Sequence, residues 1–290
     1  MTLDPDARRW LDRAAELGLP PLWQLSAEEV RRQSRAGLAA GGAAEEVHHL
    51  RDDSISGVGV RLYRPRPELD LPVLVYCHGG GWVTGDLETM HAPLTILANR
   101  SGWEIVSVDY RLAPEHPFPA GLDDCVAVAR SLIAQGRRVA VGGDSAGANL
   151  AAGAALTLAP DLLAQVLIYP VLDRNLKTSS YREFESGYGL TRRDMERYWS
   201  DYAGPEPPDP LATPLRTPEL GHLPPSLVFS AECDVLREDG DVYARRLEQA
   251  GVDVTWKCWT GMIHGFIRLE SMSCRSEALQ AVADFLISRT

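Results

Sequence analysis

Hydrophobic runs and amphipathic stretches alternate along most of this chain. Short apolar runs bounded by glycine, proline or polar residues are typical of buried strands. We predict strands at residues 57–64, 72–77, 104–110, 139–141, 165–171, 226–232 and 252–259. We predict helices at residues 4–17, 26–40, 87–100, 122–135, 148–158, 241–250 and 276–288. Strands that alternate with helices in this way indicate an α/β fold around a mostly parallel sheet.

Two segments depart from this alternation. Residues 1–45 contain helices before any strand, and Ser26 with Glu29 forms a capping-box signature for the second of them. Residues from about 173 to 221 are rich in aromatic side chains and proline and show no regular strands. We predict an N-terminal helical cap segment at 1–45 and a second cap insertion at about 173–221, within a core of residues 46–290. The alternatives are an N-terminal extension with no role in the site, and aromatic residues that only pack the insertion down.

Composition narrows the classes of partner. The chain has 29 basic and 40 acidic residues and a net charge of −11, and it contains no basic stripe, so nucleic acid and anionic membranes are poor partners. Its five cysteines are scattered without a C-x-x-C pair, which argues against a zinc or redox site and favours free thiols in a reducing, cytoplasmic environment. The N-terminus lacks the apolar stretch of a signal peptide, and no apolar run is long enough to span a membrane.

The first chemical signal follows the predicted strand at 139–141. Residues 143–147 read Gly-Asp-Ser-Ala-Gly, a G-x-S-x-G motif, and an alanine-rich helix is predicted directly after them. The motif alone arises by chance in roughly one chain in ten. A strand, a tight turn and a helix are the context of a nucleophile elbow, which predicts Ser145 at the tip of the turn with its hydroxyl exposed.

A glycine run follows another predicted strand. Residues 78–82, His-Gly-Gly-Gly-Trp, come directly after the strand at 72–77. Three consecutive glycines allow the backbone to approach a ligand closely and to turn its amides towards it. Such amides stabilise the oxyanion that develops when an acyl group is attacked.

A serine hydroxyl needs a base within hydrogen-bonding distance, and in an α/β-hydrolase the chain order is serine, acid, histidine. Two histidines follow Ser145, and His264 comes after the last predicted strand, whereas His222 lies in the proline-rich insertion. Asp234 follows a strand directly and precedes His264 by 30 residues. The other acids in this region fit less well as its orienting partner: Glu232, Asp239, Asp241 and Asp253.

Together these residues resemble the GDSAG branch of the hormone-sensitive-lipase family of α/β-hydrolase esterases. The matching motifs are HGGGW at 78–82, DYRLAPEHPFPA at 109–120, GDSAGANLAA at 143–152, AECDVLREDG at 231–240 and IHGF at 263–266. The resemblance implies an eight-stranded, mostly parallel sheet flanked by helices, with a helical cap. It also implies Ser145 as the nucleophile, His264 as the base and Asp234 as its orienting acid.

The same resemblance implies oxyanion-hole amides from Gly80, Gly81 and Ala146, with Gly79 close by. We expect Trp82, Tyr188 and Leu190 to line the substrate pocket. The chemistry of such a site needs no metal and no organic cofactor.

These observations predict a serine carboxylic-ester hydrolase, of the carboxylesterase or acetyl-esterase type, for small or short-acyl esters. One alternative is a tailoring deacylase or amidase of a biosynthetic pathway, since the same groups would remove an acyl group from an amine. Another is a non-hydrolytic receptor or dehydratase on the same fold, which the presence of Ser145, Asp234 and His264 disfavours. The edge strand at 252–259 could pair across the axis of a homodimer.

Overall fold

The apolar runs of the sequence form one central sheet. The structure, a computed structural model, describes residues 2–204 and 209–290, and within them eight strands lie in the order β1-β2-β4-β3-β5-β6-β7-β8. The strands are β1 (His49–Ile55), β2 (Val58–Arg64), β3 (Val73–Cys77), β4 (Glu104–Val108), β5 (Val139–Asp144), β6 (Gln165–Ile168), β7 (Ser226–Cys233) and β8 (Val254–Ile263). β2 pairs antiparallel with both β1 and β4, and every pairing from β4 to β8 is parallel. The predicted eight-stranded, mostly parallel sheet is therefore confirmed.

The helices of the described residues flank this sheet or belong to the two predicted cap segments. They are α1 (Pro5–Glu16), α2 (Ala27–Ala36), α3 (His91–Ser101), α4 (Ala120–Ala134), α5 (Ala146–Leu158), α6 (Ser179–Glu183), α7 (Arg192–Ala203), α8 (Arg237–Gln249) and α9 (Arg275–Ile287). The capping box predicted for the second helix is present, because the side chains of Ser26 and Glu29 each accept a hydrogen bond from the other residue's N–H. In the described part of the chain, no helix has both the length and the apolar character needed to cross a lipid bilayer.

Element boundaries differ from the sequence prediction in several places. β1 was not predicted, because almost all of its side chains are exposed and it shows no apolar alternation; backbone pairing with β2 forms it. The last strand runs to Ile263 and so includes residues 261–263, which the sequence predicts as the start of a loop at 261–266. The helix predicted from residue 87 begins at His91, and the helix predicted from residue 241 begins at Arg237.

The parallel strands bring the predicted site residues to one edge of the sheet. β3, β5, β7 and β8 all end there, and the next residue after each strand is His78, Ser145, Asp234 and His264, respectively. The carboxyl ends of parallel strands meet at the same edge, which is where open α/β sheets place their ligands. Residues far apart in sequence therefore converge without any long loop.

The N-terminal segment packs onto the core through Arg31. Its guanidinium donates to the carbonyl oxygens of Val83 at 2.8 Å and Ala113 at 2.9 Å, and it forms an ion pair with Glu115 at 2.6 Å. This hydrogen bond with Arg31 lowers the pKa of Glu115 to about 2, so the pair persists at the pH of an ordinary assay. Helix α2 is thereby held close to the loop that follows β3.

The predicted second cap insertion contains α6 and α7, and its residues 205–208 lie outside the described residues. Asp239, on α8, fixes the start of this segment, because its buried carboxylate accepts from the N–H groups of Leu172 and Asp173. Burial raises the pKa of Asp239 to about 8. The insertion meets the N-terminal segment where Arg197 of α7 donates to the carbonyl oxygen of Leu25. The assignment of both segments as caps, with the boundaries given above, stays a prediction.

Candidate active site

The turn at Ser145 joins β5 to α5. Ser145 has φ 57° and ψ −121°, a conformation that costs a non-glycine residue about 1–3 kcal/mol. A Cβ on Gly147 would lie 1.9 Å from the carbonyl oxygen of Cys77, so a side chain cannot be accommodated there. This strained turn has the strand–turn–helix context that the G-x-S-x-G motif predicted.

Three side chains from different strand ends form a hydrogen-bonded chain. Nε2 of His264 lies 2.8 Å from Oγ of Ser145, and Nδ1 of His264 lies 2.7 Å from Oδ2 of Asp234. An ionised carboxylate can only accept, so Nδ1 carries the proton and donates it to Asp234. Nε2 is then left to accept from the hydroxyl of Ser145. A histidine in this arrangement can take the serine proton as the oxygen attacks an acyl carbon.

The Asp234 carboxylate is fixed on both sides. It is buried, and while Oδ2 faces His264, Oδ1 accepts from the N–H of Leu236 at 3.0 Å. The ring of Tyr169 packs 4.7 Å from the ring of His264. These contacts hold the imidazole in one orientation.

The alternative acids and the second downstream histidine lie elsewhere. Glu232 accepts from the N–H of Gly261 at 2.7 Å, and so it faces the neighbouring strand. Asp241 accepts from the hydroxyl of Ser230. Asp253 is exposed and pairs with Arg289, and His222 is exposed in a turn. Neither Glu232 nor Asp241 has a contact with His264 among the described residues.

The glycine run lies beside the serine, but its amides differ in their partners. The N–H of Gly79 donates to Oδ1 of Asp144 at 2.8 Å, so it is not available to an oxyanion. Among residues 2–204 and 209–290, the amides of Gly80, Gly81 and Ala146 have no acceptor. Ala146 is the first residue of α5, whose N-terminal amides point out of the helix. We therefore keep Gly80, Gly81 and Ala146 as the expected oxyanion donors and remove Gly79 from that set.

His78 and Tyr110 pack together at the start of the loop that carries these glycines. Their rings stack at 4.4 Å, and the hydroxyl of Tyr110 donates to the carbonyl oxygen of His78 at 2.7 Å. Burial lowers the pKa of His78, so its imidazole is neutral in this setting. His78 is thus a packed support for the loop.

Sequence reasoning missed two residues next to the elbow. Asp144 is fully buried and binds Gly79, and Arg268 lies within ion-pair distance of Asp144. The signal for Asp144 was its place between Gly143 and Ser145, where a charged residue on a buried strand end requires partners. Arg268 carried no motif, since only the fold brings it to this point.

The three predicted pocket residues have different surroundings. Trp82 is 1% exposed, and its ring stacks on that of Tyr202 at 4.2 Å. Tyr188 is half-buried and packs edge-on against Phe184, and Leu190 is also half-buried. Trp82 is therefore part of the packing beneath the insertion, and contact of any of the three with substrate stays a prediction.

The described residues hold no cluster of three or more histidine, cysteine, aspartate or glutamate side chains arranged to bind a metal ion. The site described above brings together a serine hydroxyl, an imidazole, a carboxylate and amides without an acceptor among the described residues, a set of groups that can carry out acyl transfer.

Comparison with known proteins agrees with this geometry. A protein family described by the α/β-hydrolase fold matches residues 74–268. The chain is 36% identical to an ethyl acetate hydrolase of Pseudomonas putida, with 94% of each chain covered. It is 33% identical to the carboxylic ester hydrolase LipN of Mycobacterium tuberculosis, covering 96% of this chain and 80% of that protein.

Solved structures give the same result for the fold. An ester hydrolase from the metagenome of Lake Arreo, in complex with a bipyridine phosphonate derivative, superimposes with a TM-score of 0.92 at 34% identity and 99% coverage of both chains. A thermostable esterase from Pseudomonas putida has a TM-score of 0.92 at 31% identity, covering 99% of this chain and 98% of the esterase. The likeness extends over nearly the whole length of all three chains.

Proposed function

This chain belongs to the hormone-sensitive-lipase-like family of α/β-hydrolase esterases, and from that premise we propose that it hydrolyses small or short-acyl esters through Ser145, His264 and Asp234. Carboxylic-ester hydrolysis itself follows from the family. The observation that carries the residue assignment is the pair of distances that links Ser145 to His264 at 2.8 Å and His264 to Asp234 at 2.7 Å.

In the first half of the reaction, Nε2 of His264 removes the proton of Ser145 while Oγ bonds to the acyl carbon. The carbonyl oxygen becomes an oxyanion and accepts hydrogen bonds from the amides of Gly80, Gly81 and Ala146. The tetrahedral intermediate then expels the alkoxide, which takes the proton from His264. The products of this half are an acyl-enzyme and a free alcohol.

In the second half, His264 accepts a proton from water as the water oxygen attacks the acyl carbon. The same amides stabilise the second oxyanion. Collapse returns the proton from His264 to Ser145 and releases the carboxylic acid. Asp234 stays ionised throughout, and it stabilises the imidazolium that forms twice in each cycle.

The small size of the proposed substrate rests on a relative and on the enclosure of the serine. The ethyl acetate hydrolase of Pseudomonas putida, similar over 94% of this chain, is named for an acetyl ester. Ser145 is only 8% exposed, so the protein encloses most of its surface. Both observations support short acyl groups in this proposal.

We expect kcat/KM for p-nitrophenyl acetate and butyrate to exceed that for the dodecanoate by about tenfold or more. A single methylene that the pocket does not accommodate already costs about 1–3 kcal/mol in the transition state. Initial rates across the acyl series measure this directly. An equal or faster dodecanoate rate would remove the preference for short acyl groups.

The anilide that matches the acetate ester, p-nitroacetanilide, should be cleaved far more slowly than p-nitrophenyl acetate. Comparable cleavage of the two would favour the deacylase or amidase alternative.

The free edge of β8 supports a homodimer. β8 pairs only with β7 among the described strands, and Trp256 on it is 44% exposed. An unpaired edge presents N–H and C=O groups to a second copy. Two β8 strands related by a two-fold axis would pair antiparallel and join the two sheets into one.

We expect light scattering to give the mass of a dimer, and the substitution Trp256→Glu should shift this mass towards that of the monomer. Leu69→Glu, at another exposed apolar position, is the control, and a wild-type monomer mass at every concentration would rule this dimer out.

A cytoplasmic location remains part of the proposal. All five cysteines are free thiols; Cys77, Cys125 and Cys233 are buried, and Cys258 and Cys274 are half-buried. Free thiols of this kind are typical of reducing compartments.

A further inference from the structure

Asp144 places a fully buried carboxylate inside the nucleophile elbow. Its Oδ1 accepts from the N–H of Gly79 at 2.8 Å and from the hydroxyl of Tyr76 at 3.1 Å, and its Oδ2 accepts from the hydroxyl of Tyr169 at 3.4 Å. These N–H and O–H donors are neutral, so none of them supplies a positive charge to balance the carboxylate. Taking a carboxylate out of water costs several kcal/mol unless a nearby cation offsets it.

Arg268 provides that cation. Its Nε lies 3.8 Å from Oδ2 of Asp144, and within the described residues it is the basic side chain that comes within 4 Å of this carboxylate. Arg268 ends the 3-10 helix Phe266–Arg268, which begins two residues after His264, so the reactive histidine and this arginine are held by one short segment. Burial alone would lower the pKa of the guanidinium, but Asp144 and the neighbouring tyrosines raise it.

Four buried titratable groups that pack near Asp144 are neutral near pH 7. Tyr76 on β3, Tyr110 after β4 and Tyr169 after β6 are buried, and burial raises the pKa of each well above its ordinary value. His78, on the glycine loop, is buried, and burial lowers its pKa. The positive charge that faces Asp144 is therefore that of Arg268.

The glycine loop lies directly against the same carboxylate. A Cβ on Gly79 would be 2.5 Å from Oδ2 of Asp144, and Gly80 and Gly81 follow at once. A hydrogen bond to an ionised carboxylate is roughly twice as strong as one between neutral groups. Loss of the charge on Asp144 would weaken the bond that fixes the backbone just before the two oxyanion amides.

We propose that Arg268 is a positioning residue for the oxyanion hole. Its positive charge offsets that of the buried Asp144 carboxylate, and this carboxylate holds Gly79 so that the amides of Gly80 and Gly81 face the reacting carbonyl. The inference rests on the proposed function, because it needs an oxyanion at this point. Arg268 acts through Asp144 and not on the substrate.

The test is the steady-state kinetics of Arg268→Met with p-nitrophenyl butyrate. Without the adjacent cation, nothing offsets the cost of keeping the Asp144 carboxylate out of water, and its hold on Gly79 weakens. We expect kcat to fall about tenfold near neutral pH, because the oxyanion amides are no longer held in place. KM should change little, since oxyanion contacts strengthen in the transition state.

Matched variants separate this from a general loss of stability. Arg137 pairs at 2.7 Å with buried Glu104, which lies at the start of β4, the opposite end of the sheet from the site. Arg137→Met should lower the unfolding temperature and leave kcat nearly unchanged. Arg268→Lys keeps a positive charge and should restore most of the wild-type kcat. Asp144→Asn removes the charge that needs compensation, so adding Arg268→Met to it should lower kcat no further.

An unchanged kcat in Arg268→Met would overturn the proposal. So would an equal fall in kcat on adding Arg268→Met to Asp144→Asn. If Arg268→Met does not fold, as judged by circular dichroism, Arg268→Gln takes its place in both comparisons. Retained hydrolysis in Ser145→Ala would instead contradict the proposed function, so the two failures are distinguishable.

Discussion

Replacing Ser145 by alanine is expected to lower kcat/KM for p-nitrophenyl butyrate by at least about a thousandfold while the fold survives. The substitution removes the protein atom that bonds to the acyl carbon in the proposed reaction. Ser145 is packed at the tip of the elbow with positive φ, and alanine fits the same space. Initial rates and circular dichroism of the wild type and the variant measure both parts of the expectation.

Covalent labelling sharpens this test. A fluorophosphonate should add its mass to the wild type and not to Ser145→Ala, because phosphonylation requires the activated hydroxyl. Ser54→Ala, an exposed serine on the edge strand β1, is the matched control and should keep both rate and label. Activity retained by Ser145→Ala would remove this residue from the mechanism.

Asp234→Asn should lower kcat by about a thousandfold to ten-thousandfold with an intact fold. An amide can present an N–H to Nδ1 of His264, which favours the wrong tautomer and leaves Nε2 protonated towards Ser145. It also carries no charge to stabilise the imidazolium. Steady-state rates with a short ester at the optimal pH give the measurement.

Glu232→Gln supplies the control for this change, because Glu232 lies on β7, two residues before Asp234, and is an alternative candidate for the orienting acid. Its carboxylate accepts from the N–H of Gly261, so the substitution alters a contact between β7 and β8 and leaves His264 untouched. We expect a loss of less than about tenfold. A larger loss for Glu232→Gln than for Asp234→Asn would reassign the orienting acid.

The sequence predicted the elements whose side chains carry a strong local pattern. β3 and β5 are fully buried runs, and both were found from apolar composition alone. The turn at Ser145 was found because its two flanking glycines are required by packing, as the contact between Gly147 and Cys77 shows. Local sterics and burial leave a mark on the sequence at each of these places.

Strands that depend mainly on pairing with a neighbouring strand have no such pattern in the sequence. β1 is polar and exposed, and its pairing with β2 comes from backbone hydrogen bonds that any residue can make. The extension of β8 to Ile263 was read as a loop because it contains Gly261. Backbone pairing supplied what composition did not indicate in both cases.

The role of each amide in the glycine run also depended on the fold. The three glycines are equivalent as a pattern, yet Gly79 donates to Asp144 while Gly80 and Gly81 have no acceptor among the described residues. That difference is set by the position of a carboxylate that is distant along the chain. Sequence spacing could not distinguish the glycine that binds Asp144 from the two expected oxyanion donors.

By itself, the sequence determined the class of fold, and it predicted the nucleophile elbow, the glycine loop, the base and the acid, because each is a short segment with a strict steric or chemical requirement. Tertiary structure alone decided how these segments meet. The parallel strands bring Ser145, Asp234 and His264 within hydrogen-bonding distance, and they also place Arg268 beside Asp144. The physical reason is that hydrogen bonds and ion pairs act over a few ångströms, and only packing of the whole sheet sets such distances between residues far apart in the chain.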